Sequence, residues 1–221
     1  RRSLSHVLAD IFTYMLRTAF VPDELKSGVI ITLHKGGNKR SDNPDNYRAI
    51  TLSSVLFKVF EDIVLQRSKT EILQKINIQQ GGFQYELGCI MTLFVLRETV
   101  QFARENGSKL YVAYMDGKKA FDVVWHEGLL CKIIHECHLD HTTILAYFAM
   151  YTNMTSCVRY HGYMSRWFSI GQGTRQGGKS SPILYPLYIN ALINAIENSG
   201  CGFCMYNMRL SSPTVADDMI L

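Results

Sequence analysis

Apolar residues recur every three or four positions along several stretches of this chain, which is the spacing of one face of an α-helix. In the first stretch, Leu4, Val7 and Ile11 share such a face, and Pro22 follows at a position that ends helices. The predicted helices are Ser3–Phe20, Ser54–Ile76, Ile90–Arg104, His126–Leu139, Thr142–Asn153 and a last one from near Pro182 to about Ser199.

Short runs of apolar and β-branched residues lie between these helices and predict strands. Leu110–Met115 has the uninterrupted apolar character of a buried strand. The other predicted strands are Val29–Leu33, Cys157–Tyr160 joined through His161-Gly162 in a hairpin with Trp167–Ile170, and a last pair, Cys204–Leu210 with Thr214–Leu221. The order of elements predicts an α+β fold, in which a helical and loop portion precedes a small sheet with helices packed on one side.

Composition narrows the classes of protein without selecting one. The chain has 221 residues, of which 47% are hydrophobic and 19% are charged, as in globular domains rather than disordered segments. Its net charge of +4 permits a polyanionic partner, and no run approaches the roughly 18 apolar residues of a membrane span. Six cysteines without a regular spacing favour an intracellular, reducing setting. The chain begins without Met and stops just after an acidic pair, so we expect a fragment of a longer polypeptide.

Three aspartates stand at the ends of apolar segments. Asp116 closes the run Leu110–Met115, and Asp217 and Asp218 interrupt the last predicted strand. Carboxylates that converge from separate strands repel one another unless cations lie between them. Two divalent ions held about 3.5–4 Å apart can clamp both oxygens of a phosphoryl displacement, and oxygen ligands suit Mg²⁺. The pattern therefore predicts a two-metal nucleotidyl-transfer site.

Two loops carry groups that suit a phosphate. The segment from His34 to Arg48 is basic and contains glycines, with Lys35 among its cations. Arg175, Gln176 and Gly177 precede a predicted helix and offer further donors. Taken alone, the first loop is more typical of a solvated surface loop, and the second is also compatible with an ordinary turn. Phe121 is compatible with either the core or the wall of a nucleotide pocket.

Three ordered segments resemble motifs A, B and C of reverse transcriptases, above all those of the non-long-terminal-repeat (LINE-like) retrotransposons. They are Met115-Asp-Gly-Lys-Lys-Ala-Phe-Asp122, Arg175-Gln-Gly-Gly-Lys-Ser-Ser-Pro182 and Ala216-Asp-Asp218. Further likeness to that group is found at Pro22–Lys35, Asn46–Ile50, Lys58–Glu61, Gly82-Phe83 and Val124–His126. The resemblance covers nearly the whole chain.

The resemblance implies an RNA-directed DNA polymerase that transfers a dNTP onto a primer 3′-hydroxyl with two Mg²⁺ ions, Mn²⁺ being an alternative. It implies a right-hand polymerase fold, with helical fingers over residues 1–108 and an incomplete ferredoxin-like palm with an antiparallel sheet over residues 109–221, without a thumb. The implied partners are an RNA template, a DNA primer, dNTPs and the rest of a retrotransposon polyprotein, with no membrane. The implied location is the nucleus and cytoplasm.

The resemblance also implies a role for each matched residue. Asp116 and Asp217 are the principal metal ligands, and Asp218 completes the acidic cluster. The remaining roles are a steric gate against a ribose 2′-hydroxyl for Phe121, a structural role for Asp122, the lining of the nucleotide and template pocket for Arg175, Gln176 and Gly177, and contacts to the triphosphate for Lys35 and Arg48.

The chain departs from the family pattern at a few positions. Val215 stands where Tyr or Phe is usual, Ala49 where Pro is usual, and Gly178-Lys179-Ser180 varies the middle of motif B. An RNA-dependent RNA polymerase, a non-catalytic nucleic-acid-binding module and a plain structural domain are the rival readings. Ala216 and Phe121 disfavour the first, and the presence of all three acids disfavours the second. A zinc site at Cys131, His135 and His138, or at Cys201 and Cys204, lacks the four ligands of a structural site.

Overall fold

The computed structural model describes residues 3–84 and 86–221. Its helices are α1 (Leu4–Thr18), α2 (Asp23–Lys26), α3 (Val55–Lys75), α4 (Cys89–Glu105), α5 (His126–Glu136), α6 (His141–Tyr151) and α7 (Ser181–Asn198). Its strands are β1 (Gly28–His34), β2 (Tyr47–Ser53), β3 (Tyr114–Asp116), β4 (Thr155–Tyr160), β5 (Tyr163–Met164), β6 (Phe168–Ser169), β7 (Phe203–Met205), β8 (Met208–Leu210), β9 (Thr214–Val215) and β10 (Asp218–Ile220). Short 3-10 turns occupy Pro44–Asn46 and Ala120–Val123.

The chain divides into two compact units. The first contains the described residues of Arg1–Glu71 together with Phe121–Ser181, and the second contains Ile72–Ala120 together with Pro182–Leu221. The predicted fingers and palm, residues 1–108 and 109–221, each contribute to both units, and the division into fingers and palm stays a prediction. Residues 1, 2 and 85 of the predicted fingers lie outside the described residues.

A mixed five-stranded sheet organises the first unit. Its order is β2-β1-β4-β5, with β6 also paired to β4; β1 runs antiparallel to β2 and parallel to β4. Helix α1 contributes the buried Phe12 and Met15 and contacts α6. Leu4, Val7 and Ile11 of its predicted apolar face are exposed, so their spacing predicted the helix but not the side that packs. The core also contains the fully buried Tyr147, whose hydroxyl lies 2.7 Å from Ser68 Oγ and so keeps a hydrogen-bond partner.

Two smaller sheets belong to the second unit. One has the order β3-β10-β9, with all pairs antiparallel, and the other is the β7-β8 hairpin. Helix α4 contacts β7 and β9, and Phe102 on this helix meets Phe203 and Tyr206 edge-on. Among the described residues no helix has both the length and the apolar character needed to span a membrane.

Most predicted elements are present within a few residues of the expected bounds, and the hairpin turn at His161-Gly162 is confirmed. Both turn residues have positive φ, 47° and 84°, which suits a two-residue connection between right-twisted strands. The returning chain forms two short strands, β5 and β6, where one was expected. The segment from His34 to Arg48, predicted as a loop throughout, ends in the unpredicted strand β2, because Tyr47–Ser53 pairs along its whole length with β1.

The prediction of a buried strand over Leu110–Met115 was wrong. Only Tyr114–Asp116 forms a strand, and all of it is exposed, with Tyr114 at 75%. An apolar run indicates that a strand could be buried. Whether it is buried depends on another element that covers it. The prediction of one strand over each of Cys204–Leu210 and Thr214–Leu221 was also wrong, since each segment folds back on itself through a two-residue turn.

Candidate functional site

The register of the three-stranded sheet brings the predicted acids together. Antiparallel pairing of β3 with β10 places Asp116 directly opposite Asp218. Asp218 also pairs with Val215, so Ala216 and Asp217 form the two-residue turn between β9 and β10. Residues directly opposite each other in an antiparallel pair have Cβ atoms about 4.5–5.5 Å apart. Three carboxylates therefore share one end of this sheet.

The middle acid, Asp217, is disfavoured as a charged group by its surroundings. The pKa of Asp217 is raised above the usual aspartate value, chiefly because the half-buried carboxyl is desolvated, and further because the charges of Asp218 and Asp116 oppose its ionisation. A backbone hydrogen bond acts in the opposite direction. Both neighbouring acids are exposed. A cation at this end of the sheet would relieve the repulsion.

The side chains are not arranged as a closed metal site. In residues 3–84 and 86–221, no group of three or more His, Cys, Asp or Glu side chains is positioned to hold a metal ion, and this includes the Cys131, His135 and His138 trio. The acids nonetheless have the donor chemistry that Mg²⁺ prefers, since Mg²⁺ binds through one or two carboxylates and substrate phosphates rather than an all-protein cage. The residues fit a divalent ion whose shell a substrate completes.

The turn that carries Asp217 is held by a residue that the sequence did not single out. Gln80 is fully buried, and its Oε1 accepts hydrogen bonds from Gly82 N at 2.8 Å and Ala216 N at 2.9 Å. Its Nε2 donates to Ala216 O at 3.1 Å, which fixes Ala216 at a φ of 58°. A Cβ on Gly82 would come within 2.4 Å of Ala216 N, so only glycine fits there. The glycine pair after Gln80 was the available signal, but it was interpreted as a simple break.

The segment from Gln172 to Ser180, here called the motif B loop, is anchored at several points of the first unit. Thr51 N donates to Gln176 O at 2.8 Å, joining the loop to β2. Gly177 has a φ of 110° and lies close to Thr51 O, where a Cβ would approach to 3.0 Å. Ser180 donates from N and Oγ to Glu61 Oε1, at 3.0 and 2.5 Å. The loop is thus a held structure and not a solvated turn.

Arg175 points its guanidinium into the first unit. It donates to the carbonyl of Lys26 and lies over the ring of Phe57, with 4.8 Å between Cζ and the ring centroid. Burial lowers the pKa of Arg175, while the charge of Glu61 raises it. In this conformation the side chain holds the loop from within, and Gly177 is the exposed residue among Arg175, Gln176 and Gly177.

Phe121 begins a segment, residues 121–126, that we call the gate segment. Its carbonyl accepts from Thr174 N at 2.7 Å, and Val124 O accepts from Gly173 N at the same distance. His126 is buried, its Nε2 lies 2.7 Å from Gly173 O, and burial lowers its pKa. The gate segment and the motif B loop are therefore held side by side.

Lys35 and Arg48 lie at the end of the β1–β2 pair and are both exposed. Arg48 is opposite Leu33 in the register, and Lys35 N donates to Asn46 O at 2.8 Å just beyond the strand. The Nζ of Lys35 donates to Asp45 O at 2.8 Å. The two side chains thus share the open end of one hairpin, together with other cations of the loop.

The predicted site residues fall into two sets. The three acids belong to the second unit. The first unit holds the other predicted residues, which are Lys35, Arg48, Phe121, Arg175, Gln176 and Gly177. Within the units the structure gathers the acids at one sheet end and joins Phe121 to the motif B loop.

Comparison with known sequences identifies one family. The sequence model of the family described as "Reverse transcriptase (RNA-dependent DNA polymerase)" matches residues 34–220. The RNA-directed DNA polymerase from mobile element jockey of Drosophila melanogaster is 32% identical over 183 residues, covering 82% of this chain and 20% of the relative. The Pol polyprotein from the type-1 retrotransposable element R2 of Popillia japonica is 25% identical, covering 81% and 25%. This chain spans about a fifth to a quarter of the length of these relatives.

Comparison with solved structures identifies the fold. The telomerase of Candida albicans, in complex with a TWJ fragment of telomeric RNA, superposes with a TM-score of 0.56 over 98% of this chain and 42% of that one. The telomerase of Candida tropicalis gives a TM-score of 0.54 over 99% and 44%. The identities are only 12%, so these similarities show the fold alone. They confirm the predicted right-hand polymerase fold.

Proposed function

This chain belongs to the reverse transcriptase (RNA-dependent DNA polymerase) family, and we propose that it carries the nucleotidyl-transfer site of an RNA-directed DNA polymerase from a LINE-like retrotransposon. The observation that supports this most directly is the register that sets Asp116 opposite Asp218, with Asp217 in the adjoining turn. A structural domain has no use for three mutually repelling carboxylates at one sheet end.

The acids are the proposed metal ligands. Reverse transcriptases generally use divalent metal ions, and we propose Mg²⁺ here, with two ions bound by Asp116, Asp217 and Asp218. When bound, such ions neutralise developing charge on the transferring phosphoryl group and lower the pKa of the attacking hydroxyl. The protein's own part is to hold the carboxylates at one sheet end, with the turn fixed by Gln80.

The first unit supplies the proposed nucleotide contacts. The partly buried Phe121 is the steric gate, where a bulky ring disfavours a ribose 2′-hydroxyl. Gln176 and Gly177 line the nucleotide and template pocket, with Arg175 holding the loop behind them. Lys35 and Arg48 present positive charge for the triphosphate from an exposed hairpin end. Rate enhancement on this scheme comes from positioning and charge neutralisation.

The proposed partners follow from this chemistry. They are an RNA template, a DNA primer and dNTPs, and the chain would act within a longer retrotransposon polyprotein. Fingers over residues 1–108, a palm over residues 109–221 and a location in the nucleus and cytoplasm remain proposals from the family resemblance.

Primer extension on an RNA template tests the function. The polypeptide that contains residues 1–221 is given an annealed DNA primer, dNTPs and Mg²⁺, beside an Asp217→Asn control. We expect extension that requires Mg²⁺ and is absent in the control, while primer-template binding by the control stays nearly intact. Binding without any extension by the parent protein would favour a non-catalytic nucleic-acid-binding module, and equal loss of binding in the control would make Asp217 structural.

A further inference from the structure

The side chain of Asp122 reaches from the gate segment to the motif B loop. Its Oδ1 accepts a hydrogen bond from Gln176 Nε2 at 3.0 Å. Sequence resemblance gave Asp122 only a general structural role, and the exposed register partners Asp116 and Asp218 belong to the other unit. Asp122 therefore contacts a residue of the proposed nucleotide pocket.

The backbones of the two segments form a short ladder around this contact. Thr174 N donates to the carbonyl of Phe121, and Gly173 N donates to Val124 O. The approach is close because Gly173 has a φ of 91° and no side chain, so that a Cβ there would lie 2.7 Å from the carbonyl oxygen of Asp122. The ladder fixes the backbones, and the carboxylate of Asp122 then decides where the Gln176 side chain lies.

A cavity behind the loop makes that tether necessary. A space of about 200 Å³ lies between the sheet and the loop, and its walls include Ile30, Thr51, Asp122 and Gln176. A carboxamide that borders such a space is packed less closely on that side, so packing restricts its rotamer less. Its orientation then depends on hydrogen bonds.

A carboxylate also selects which end of the carboxamide faces it. An ionised aspartate only accepts hydrogen bonds, so it binds the NH₂ end of Gln176 and turns the amide oxygen away. An asparagine at the same position could accept or donate and would permit either orientation. The negative charge thus sets the pattern of donors and acceptors that Gln176 offers to a ligand.

We propose that Asp122 is a positioning residue for nucleotide selection: it fixes the Gln176 carboxamide beside Phe121, so that sugar discrimination depends on both side chains together. This inference rests on the proposed polymerase function. Asp122 touches no substrate in this scheme and acts through Gln176.

A double-mutant cycle tests the proposal. Asp122→Ala, Gln176→Ala and the double variant are compared with the parent polypeptide by kcat and KM for dNTPs and rNTPs in primer extension. We expect Asp122→Ala to raise the KM for dNTPs roughly 10-fold, the scale of a lost hydrogen bond to a charged group, with kcat changed less than about twofold. If Asp122 acts through Gln176, the double variant should match Gln176→Ala alone. An additional 10-fold loss in the double variant, or no effect of Asp122→Ala, would overturn the proposal.

Two further variants separate positioning from folding and from charge. Asp122→Asn keeps the shape but not the obligate acceptor, so it should lose part of the dNTP preference while its free energy of unfolding stays that of the parent. Glu105→Ala removes the same charge from an exposed residue outside both segments and should leave KM unchanged. If Asp122→Asn lowers both the free energy of unfolding and kcat, the role of Asp122 is merely structural.

A binding readout keeps this test separate from the fate of the polymerase proposal. If the parent does not extend a primer, the polymerase function fails, and the same cycle is then run on the Kd of dNTPs for the complex with a dideoxy-terminated primer on RNA. If the effects of the two substitutions on that Kd are not additive, the result still supports the proposal that Asp122 positions Gln176. Additive changes, or no dNTP binding by the parent, overturn the inference.

Discussion

Two acids in different regions show two uses of a carboxylate in one chain. Glu61 is 4% exposed, and its Oε1 accepts hydrogen bonds from both N and Oγ of Ser180, beside the buried guanidinium of Arg175. Asp217 lies half-exposed in a turn, close enough to Asp116 and Asp218 that their charges raise its pKa. One oxygen of the buried Glu61 has two protein donors, whereas the charges around Asp217 oppose its ionisation. A charge that its own fold opposes is available for a cation.

The surroundings of Glu61 add to this difference. Its second oxygen and two nitrogens of Arg175 are buried without a protein partner, and both residues border a void of about 10 Å³. That volume is close to the roughly 10–15 Å³ that one water needs, and the site offers it enough polar partners. Glu61 and Arg175 therefore belong to a nearly closed polar cluster that supports the motif B loop, whereas the acids of the sheet end stay open.

We expect the largest difference between the structural acid Glu61 and the acids of the sheet end in the rate of DNA synthesis by Asp116→Asn. Synthesis should fall by about 1,000-fold or more, as when a main electrostatic contributor to a transition state is removed. The free energy of unfolding should stay equal or rise, because one of the repelling charges is gone. Single-nucleotide incorporation and urea unfolding measure the two quantities, and a marked loss of stability would place Asp116 with Glu61 among the structural acids.

A second prediction concerns the proposed steric gate, Phe121, in the same unit as Glu61. Phe121→Val should weaken discrimination against ribonucleotides by about 10- to 200-fold, the range for a change in the size of an apolar pocket. The ratio of kcat/KM for dNTP and rNTP measures it. Stability should change little in comparison, and unchanged discrimination would remove the steric-gate assignment.

Glu61→Ala should lower the free energy of unfolding, which Asp116→Asn should leave unchanged or raise. It leaves the buried donors of Ser180 without an acceptor, which costs about 1–3 kcal/mol of folding free energy. Urea unfolding measures this against Glu105→Ala, in which an exposed glutamate is removed and the change should be within about 0.5 kcal/mol. Equal stability of the two variants would contradict the structural role of Glu61.

The smallest expected effect is on the pH dependence of folding stability, to which His126 and Asp217 contribute with opposite sign. Burial lowers the pKa of His126, so the unfolded chain binds a proton before the folded protein does. Stability should therefore fall as pH drops below about 6.5, the usual histidine pKa, until the folded protein is protonated as well. Asp217 has the opposite sign, because its raised pKa means that stability is lost as pH rises through its titration.

Unfolding measured from pH 4.5 to 8 for the parent and for His126→Gln checks this prediction. The variant should lack the part of the acid loss that His126 contributes. Identical pH profiles would show that His126 does not link the gate segment to stability.

The helices and the family membership were predictable because both rest on local patterns. The apolar spacing of α1 predicted a helix, although Leu4, Val7 and Ile11 of the predicted face are exposed. The three motifs identified a LINE-like reverse transcriptase domain, which the family match and the retrotransposon relatives confirm. Strand β2 was missed because Tyr47–Ser53 follows a polar loop and its pairing with β1 is visible only in the fold. The exposed β3 was mistaken for a buried strand because apolar character does not reveal what covers it.

By itself the sequence determined which chemical groups are present, their order, and the family to which the chain belongs. Only the tertiary structure decided which acid faces which. The pairing of Asp116 with Asp218 depends on the register of two strands that are about a hundred residues apart in the sequence. The fold also separated Glu61, which holds a loop, from the open acids, and gave Gln80 and Asp122 their contacts. Such roles depend on distance and burial, which arise when remote segments pack together.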